Sequence, residues 1–318
     1  MSKIGLALWG SNGHQIQNSF FTNPDVELIG FGEIPTENMP ESYRECKKYN
    51  SFEELLNDDK VNMVSLCSAF RSQQAAQAIL AMRAGKHVYA EKPCAMNEED
   101  LDALIETSKQ TGCIFREMAG SGYEQPYYAM HGIVQGGGIG DIVQVFAQKS
   151  YPWHDNRPQD ENIDGGLTCQ VAIHAVRMVT QVTNLKVKDV LHCVETKNGN
   201  PVKDGECRIA SSITVLLENG AIATIIANYL NQTGFGSWGN EALRIFGTKG
   251  MIEATDGGTK SRLVLGDKDM GSLDTSSPQY NWYNLFVDCI NDKDNFPMKL
   301  EDELHPTRVV IRAKAMAK

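Results

Sequence analysis

The feature that most constrains the fold is an alternation of apolar runs and helix-forming stretches over the first 120 residues. Apolar, strand-like runs occur at residues 4–8, 26–31, 61–67 and 87–90. Helix-forming stretches cover residues 72–84 and 98–111, and a glycine closes each of them. Strands that alternate with helices form right-handed β-α-β units, so the pattern predicts a doubly wound parallel sheet covered on both faces.

The second half of the chain has a different pattern. After a helix expected at 127–135, runs of β-forming residues occur at 142–149, 187–196, 208–217, 221–230 and 242–246. Asn219-Gly220 between two of these runs is a hairpin signal. We therefore predict an α+β domain with a large open, mostly antiparallel sheet, one inserted helix at 167–182 and closing helices at 282–290 and after Glu301.

The boundary between the two halves is expected near Gly120-Ser121-Gly122. This gives a nucleotide-binding domain over residues 1–121 and a substrate-binding and oligomerisation domain over residues 122–318. With this boundary, the C-terminal helix belongs to the second domain but is still able to pack back on the first domain.

The charge and the cysteines exclude several classes of function. Forty acidic residues against 30 basic ones give a net charge of -10, which disfavours binding to nucleic acid or to anionic membranes. No apolar run approaches the roughly 18 residues of a spanning helix, and no signal peptide is evident at the N-terminus. The eight cysteines include no C-x-x-C pair, so we expect no metal site, buried thiols and a cytoplasmic protein.

A glycine motif follows the first strand, where the chain reads Leu8-Trp9-Gly10-Ser11-Asn12-Gly13. A dinucleotide-binding fold carries G-x-G-x-x-G at this point, and Leu8 replaces the first glycine. We expect Gly10 to let the backbone approach a pyrophosphate and the next helix N-terminus to bind its phosphates. An ordinary strand-to-helix turn is the alternative.

Glu33 lies at the end of the second strand, 20 residues after Gly13. A carboxylate at this position accepts hydrogen bonds from the adenosine ribose hydroxyls. The following residues, Ile34-Pro35-Thr36, offer no arginine for a 2′-phosphate, so the sequence favours NAD over NADP. A solvated loop carboxylate is the other interpretation.

Glu91-Lys92-Pro93 follows the fourth apolar run, at the sheet edge where open α/β folds bind ligands. A lysine there can donate to a substrate hydroxyl and stabilise negative charge that develops on oxygen. Pro93 fixes the turn and is a candidate for a cis peptide bond. A surface Glu-Lys pair before a proline is the alternative.

His174 is the candidate proton acceptor of the second half. At helical spacing it shares one face with Leu167, Gln170 and Val171. A histidine titrates near neutral pH and suits the oxidation of an alcohol, although a histidine in a protein core would show the same pattern.

Several aromatic and polar residues are weaker candidates. Residues 151–158 form a polar-aromatic loop after a strand, and an aromatic face with planar polar groups suits a sugar or polyol. From this loop and its surroundings we select as substrate-site candidates Trp153, His154, Asp155 and Tyr123. Arg71, after the third apolar run, is a candidate at the rim of the site.

Together these motifs resemble the Gfo/Idh/MocA family, the relatives of glucose–fructose oxidoreductase and inositol dehydrogenase. The resemblance covers essentially the whole chain, and its most specific part is Ala84-Gly85-Lys86-His87-Val88-Tyr89-Ala90-Glu91-Lys92-Pro93. It implies an N-terminal Rossmann domain that binds NAD(P) and a C-terminal sheet used to form a homodimer or homotetramer. The cofactor-binding residues then expected are Gly10, Ser11, Asn12, Gly13, Glu33, Ser68, Arg71, Glu91 and Lys92.

The resemblance also implies the catalytic residues. Lys92 matches the family's active-site lysine and His174 its catalytic histidine, so His174, or a water it orders, accepts a hydroxyl proton while a hydride passes to C4 of the nicotinamide. Gln170 stands where the family often has an aspartate, and it can orient a hydroxyl but cannot take its proton. Leu8 and the segment 68–73, which replaces Thr-Pro-Asn-x-x-His, are further departures.

The leading hypothesis is an NAD-dependent dehydrogenase that oxidises a secondary hydroxyl of a sugar, cyclitol or sugar derivative. A second hypothesis is an enzyme that retains NAD and uses transient oxidation to drive elimination or glycoside cleavage without net redox change. A third is a catalytically silent regulatory protein that binds nucleotide or sugar. The sequence does not name the substrate.

Overall fold

The structure, a computed structural model, describes residues 3–15, 18–118, 120–293 and 295–318. The first strands and helices, in chain order, are β1 (Ile4–Trp9), α1 (Asn18–Thr22), β2 (Val26–Gly32), β3 (Lys47–Lys48), α2 (Phe52–Leu56), β4 (Met63–Leu66), α3 (Arg71–Arg83), β5 (His87–Ala90), α4 (Glu98–Thr111) and β6 (Phe115–Glu117). Those that follow are α5 (Tyr127–Gln135), β7 (Ile142–Ser150), α6 (Glu161–Asp164), α7 (Ile173–Thr183), β8 (Val187–Thr196), β9 (Ala210–Leu217), β10 (Ile222–Asn228), β11 (Asn240–Gly247), β12 (Gly250–Thr255), β13 (Lys260–Leu265), β14 (Lys268–Gly271), α8 (Trp282–Ile290), α9 (Leu300–Glu303) and α10 (His305–Ala315).

The first sheet has the strand order β3-β2-β1-β4-β5-β6, and each neighbouring pair is parallel. This is the order of a Rossmann domain, and it confirms the predicted doubly wound sheet. All six residues of β1 are buried at the centre of the sheet. The strand order reverses between β1 and β4, so a ligand crevice is expected at their carboxyl ends, where the glycine motif begins.

Helix α4 shows why the helix boundaries could be read from the sequence. The Asn97 side chain accepts a hydrogen bond of 2.8 Å from the Asp100 backbone N–H, which caps the first turn. Gly112 adopts a left-handed φ of 69° and ends the helix. The predicted range of 98–111 is confirmed.

Two strands of the first sheet were not predicted. β3 has only two residues, both of them exposed lysines, and β6 has only three residues. Such short segments carry no periodicity that a sequence pattern can reveal. Their positions at the two edges of the sheet leave the central strands as predicted.

The second sheet has the order β14-β13-β12-β11-β7-β10-β9-β8 and is antiparallel except between β7 and β10. This confirms the predicted large, mostly antiparallel sheet. The predicted hairpin joins β9 to β10, with Gly220 at a φ of 88°. Strands β12 to β14 were missed, because the charged and exposed residues of β13 and β14 hide the alternation.

The chain divides into two compact units. The first comprises Met1–Ala119, Asn162–Asp164 and Asn281–Leu304, and the second comprises Gly120–Glu161, Gly165–Tyr280 and His305–Lys318. Helices α8 and α9 therefore belong to the first unit, although the sequence placed them in the second domain. The last helix, α10, belongs to the second unit, where Lys314 pairs with Glu195 at 2.5 Å.

In the ranges that the structure describes, we find no helix that is both long and apolar enough to cross a lipid bilayer.

Candidate functional site

The glycine loop after β1 requires glycine at two positions. Gly10 has a φ of 78°, and a Cβ there would collide with the carbonyl oxygen of Cys67. Gly13 has a φ of 143°, and a Cβ there would collide with the carboxylate of Glu91. Both the backbone conformation and the lack of space therefore demand a residue without a side chain.

Leu8, which replaces the first glycine of the fingerprint, lies within the strand and not in the loop. It is fully buried and pairs with Phe31 on β2 and with Ser65 on β4. The chain does not turn until Gly10, so a bulky residue at position 8 leaves the loop unobstructed.

Gln15 fastens the loop to the sheet edge, and sequence reasoning missed it. Its buried Nε2 lies 2.8 Å from the carbonyl oxygen of Trp9, 3.0 Å from that of Gly10 and 2.9 Å from that of Ser65. Its Oε1 accepts a 2.5 Å hydrogen bond from the Ser65 hydroxyl. The only available signal was a polar residue two positions after a glycine, which is typical of many exposed loops.

The helix expected directly after Gly13 is absent at residues 14 and 15, which are not helical. The backbone N–H of Gly13 donates to the Ser11 carbonyl at 3.1 Å, and that of His14 donates to a Glu91 carboxylate oxygen at 2.7 Å. The Asn12 side chain donates to the Ile163 carbonyl at 2.5 Å, within the first unit, while the Ser11 side chain is exposed. Residues 16 and 17 lie outside the described residues, so the anion site expected at the start of the next helix stays a prediction.

Glu91 is a buried carboxylate that forms hydrogen bonds with the end of the glycine loop. One oxygen lies 2.5 Å from His14 Nδ1, and the other accepts the Lys92 backbone N–H at 2.9 Å. Burial by itself would raise the pKa of Glu91, but His14, Lys92 and Arg71 together hold it well below its usual range. Glu91 is thus ionised at neutral pH.

Lys92 lies just beyond β5 with only 2% of its surface exposed. The Lys92–Pro93 peptide bond is cis, as the sequence suggested. The carbonyl oxygen of Pro93 accepts a 3.2 Å hydrogen bond from the Gln74 side chain, and the next backbone N–H, of Cys94, donates to Glu117 at 2.6 Å. Because Glu91 and Lys92 are both buried, they are not a surface Glu-Lys pair.

Arg71 and Ser68 are buried, which differs from the rim position expected for Arg71. The Arg71 guanidinium donates to the Asn12 carbonyl at 2.7 Å and to the Gln74 side chain at 2.5 Å. The Ser68 hydroxyl donates to Gln77 at 2.5 Å, inside the packing of α3. Arg71 thus braces the glycine loop, and Ser68 braces the start of the helix.

Glu33 follows β2 directly and is exposed. Its φ of 52° is a left-handed conformation that costs free energy for a residue with a side chain. Residues with a strained backbone cluster at ligand-binding sites, so the role predicted for Glu33 stays a prediction that its conformation fits.

His174 lies in the first turn of α7, in the second unit, and is half-buried. Its Nε2 lies 3.1 Å from the Tyr151 hydroxyl, and its Nδ1 lies 3.4 Å from the Ser121 hydroxyl. Both ring nitrogens therefore face hydroxyl groups, and the ring is held in one orientation. The sequence placed Tyr151 in the loop expected to suit a polyol but did not pair it with His174, and it missed Ser121, because both are distant from His174 along the chain.

Gln170 lies in a π-helical turn, Thr168–Ala172, that precedes α7. The sequence predicted a continuous α-helix here. π-helical turns occur frequently at functional sites, because the extra residue changes where side chains point. The Tyr229 hydroxyl donates to Gln170 Oε1 at 3.4 Å, so Gln170 and His174 each have a tyrosine partner.

The substrate-site candidates of the second unit contact different aromatic partners in the structure. His154 stacks on the exposed Trp238 with ring centroids 6.0 Å apart, and Asp155 is exposed in a turn. Trp153 contacts the Tyr229 ring edge-to-face at 6.5 Å. Tyr123 is buried among aromatic rings, and this burial raises its pKa to about 12.

Comparison with known proteins places these features in a family. Residues 4–118 match the family model described as oxidoreductase family, NAD-binding Rossmann fold. Residues 127–253 match the model of the GFO/IDH/MocA C-terminal domain. The two models together cover most of the chain.

Curated relatives have modest identity to this chain. The myo-inositol 2-dehydrogenase of Thermotoga maritima is 25% identical over 236 residues, which are 71% of this chain and 66% of that protein. A trans-1,2-dihydrobenzene-1,2-diol dehydrogenase of Bos taurus is 24% identical over 217 residues, 66% of this chain and 59% of that protein. The matched stretch spans less than two thirds of the length of each relative.

Solved structures share the fold over nearly the full length. A Thermotoga maritima structure superposes with a TM-score of 0.86 at 22% identity, covering 98% of this chain and 97% of that one. A 3-ketoreductase of Actinomadura kijaniata in complex with NADP gives a TM-score of 0.80 at 14% identity, covering 100% and 98%. With both halves matched by family models and the fold matched throughout, this chain belongs to the GFO/IDH/MocA family of oxidoreductases.

Proposed function

We propose that this chain is an NAD-dependent dehydrogenase that oxidises a secondary hydroxyl of a sugar, cyclitol or sugar derivative. The observation that carries the proposal is Lys92, buried beside the ionised Glu91 at the carboxyl end of β5. A lysine confined in this way can donate a hydrogen bond to an oxygen on which negative charge develops. The inositol dehydrogenase among the relatives supports a cyclitol or sugar as substrate.

The residues of the first unit fit a dinucleotide. Ser11 and Gly13 are exposed in the loop, and the buried Gly10 adopts the left-handed φ of 78° at which the loop turns. Arg71 lies against this loop, and its buried Nε has no hydrogen-bond partner in the part of the chain that the structure describes. An incompletely satisfied guanidinium beside a glycine loop suits the negative charge of a pyrophosphate.

Glu33 supports NAD over NADP. Its carboxylate is exposed where the ribose hydroxyls of a dinucleotide are bound in this fold, and it would repel a 2′-phosphate. NAD, when bound, supplies the nicotinamide C4 that accepts the hydride.

The chain's own residues then handle the oxygen and the proton. His174 takes the proton of the reacting hydroxyl, with its ring fixed by Tyr151 and Ser121. Lys92 stabilises the alkoxide-like oxygen. The Gln170 amide cannot accept a proton as a base would. We therefore assign it the role of orienting a hydroxyl of the substrate.

Calorimetric titration with NAD and NADP tests the cofactor assignment, after a denatured sample has been checked for nucleotide that copurifies. We expect NAD to bind and NADP to bind at least about tenfold more weakly. Glu33→Ser should reduce this difference between the two affinities. Failure of both nucleotides to bind would contradict the dehydrogenase and favour a regulatory protein. Substrate turnover without NADH would instead favour an enzyme that retains NAD.

We further propose that the second sheet mediates a homodimer or homotetramer. Cross-strand pairing aligns Leu216, Ile222, Gln144 and Phe246 in one row. Ile222 and Phe246 are exposed. The residue after Ile222 is buried, and the residue after Phe246 is the last of its strand. Ile222→Asp should produce monomers in sedimentation experiments, while the loop substitution Val202→Asp should not.

A cytoplasmic location is also part of the proposal. No disulfide bond joins any of the eight cysteines, all of which lie in the described ranges. Unbridged thiols fit a reducing compartment.

A further inference from the structure

A cavity of about 290 Å³ opens in the second unit and has no role in the proposed hydride transfer. At about 30 Å³ per water molecule, it has room for roughly ten waters. That is close to the lower limit of about 300 Å³ for small-molecule sites, and it suits a single ring with its substituents. Its lining includes Trp153, Tyr229, Asn231, Gln232 and Thr233.

Three hydrogen bonds connect this cavity to the candidate catalytic residues. The Tyr229 hydroxyl donates to Gln170 Oε1 at 3.4 Å. The Asn231 backbone N–H donates to the Tyr151 carbonyl at 3.0 Å, and the Tyr151 hydroxyl lies 3.1 Å from His174 Nε2. Two cavity walls are therefore direct neighbours of residues that hold His174 or orient the substrate.

The aromatic walls are fixed in place. Trp153 and Tyr229 meet edge-to-face, with an interplanar angle of 75°. The Arg157 guanidinium lies 3.6 Å from the centre of the Tyr229 ring and donates to the Pro152 carbonyl at 3.1 Å. A cation stacked on its ring restrains Tyr229, so the cavity presents a preformed apolar surface.

The polar walls present hydrogen-bond acceptors. Asn231 Nδ2 lies 2.9 Å from the Ser237 carbonyl and 3.0 Å from the Trp238 carbonyl, which fixes the side-chain amide. Gln232 Nε2 donates to the Leu230 carbonyl at 3.1 Å. Neither amide oxygen accepts a hydrogen bond from another described residue, so both remain available to hydroxyl groups of a ligand.

None of the side chains that line the cavity is charged. A nucleotide sugar or a sugar acid would bring negative charge into a cavity that no cationic side chain lines, and burying an unpaired charge is costly. The chemistry therefore fits a neutral ring that has apolar C–H faces and several hydroxyl groups.

We propose that this cavity is a subsite for a second, neutral sugar ring, so that the chain oxidises glycosides in preference to free monosaccharides. The proposal rests on the proposed function, since it assigns the oxidised ring to the His174 region and the neighbouring ring to the cavity. The aromatic rings pack against the C–H faces, and the amide oxygens of Asn231 and Gln232 accept hydrogen bonds from hydroxyl groups.

Calorimetry on the NAD-loaded protein provides the test. The probes are glucose and galactose, compared with the disaccharides maltose, cellobiose, lactose and melibiose. We expect at least one disaccharide to bind about tenfold or more tightly than its component monosaccharides. Thr233→Trp, which places an indole at the cavity mouth, should remove that gain and leave monosaccharide binding within about twofold.

Phe235→Trp is the matched control, because it places the same indole on an exposed residue two positions away that does not line the cavity. It should retain the tighter disaccharide binding, and unfolding curves of both variants should match the wild type. Equal affinities for monosaccharides and disaccharides would overturn the subsite, and so would tighter disaccharide binding that persists in Thr233→Trp. In either case, formation of NADH would still uphold the proposed function. Absence of binding by every probe would overturn the subsite, and absence of NADH with cyclitols as well would overturn the proposed function.

Discussion

Removal of the negative charge at Glu91 is the most informative single perturbation of the first unit. Glu91→Gln preserves the shape of the side chain but replaces one acceptor oxygen with an NH₂ group. The backbone N–H groups of His14 and Lys92 donate to different carboxylate oxygens, at 2.7 and 2.9 Å. Whichever way the amide is oriented, one of these donors loses its acceptor.

The structure sets the size of the effect. One buried donor without an acceptor costs about 1–3 kcal/mol. Lys92 is also buried and loses the charge of Glu91, and breaking a buried charge pair costs about 3–5 kcal/mol. These costs overlap, so we expect the free energy of unfolding at pH 7 to fall by about 3–5 kcal/mol.

The pH dependence has a definite sign. Burial acts to raise the pKa of Glu91, but His14, Lys92 and Arg71 outweigh it, and the folded-state pKa lies well below the unfolded value of about 4.3. The stabilisation is therefore fully present above about pH 5 and is lost as the pH falls through the folded-state pKa. The difference between wild type and Glu91→Gln should shrink steadily below about pH 4.

Urea unfolding at pH 7 and at several acidic values measures this difference. The exposed Glu37→Gln is the matched control, and we expect it to change stability by less than about 0.5 kcal/mol. A loss below about 1 kcal/mol at pH 7, or a difference that grows on acidification, would refute the argument that an ionised Glu91 holds the loop.

Three further predictions concern the loop, the histidine and a helix cap. Gly10→Ala should destabilise the fold by about 2 kcal/mol or more, because the new Cβ meets the Cys67 carbonyl at a left-handed φ. It should also abolish NAD binding in calorimetry, and wild-type affinity for NAD would contradict this. Tyr151→Phe removes the hydroxyl beside His174, so it should lower kcat about five- to tenfold and alter the pH profile of kcat. The affinity for NAD should be unchanged. An unaltered pH profile would show that Tyr151 does not position the His174 ring. Asn97→Ala should cost about 1 kcal/mol in urea unfolding without affecting kcat, because only the cap of α4 is lost.

The fold was largely predictable, because its elements carry strong local signals. Asn97 and Gly112 mark the ends of α4. Continuous apolar runs mark the central strands of the first sheet, and alternation marks those of the second. The missed strands are short, as in β3 and β6, or exposed and charged, as in β13 and β14. The assignment of α8 and α9 to the first unit depends on tertiary contacts, which no local pattern contains.

The candidate site was predictable where one residue type has a distinctive neighbourhood in the sequence. Gly10, Glu91 and His174 were selected in this way. The residues that fix them were not, because Gln15, Ser121 and Tyr151 act through contacts with distant parts of the chain. The π-helical turn at Gln170 is likewise a tertiary outcome, since its sequence has ordinary helical periodicity.

The most direct test of the central claim is the formation of NADH, followed by its absorbance, when the purified protein meets NAD and a panel of cyclitols, sugars and glycosides. The account predicts NADH with at least one member of the panel. His174→Ala should reduce that rate at least about 10²-fold, with NAD binding retained in calorimetry. Tight NAD binding without NADH from any member of the panel, or a rate that His174→Ala leaves unchanged, would contradict the account.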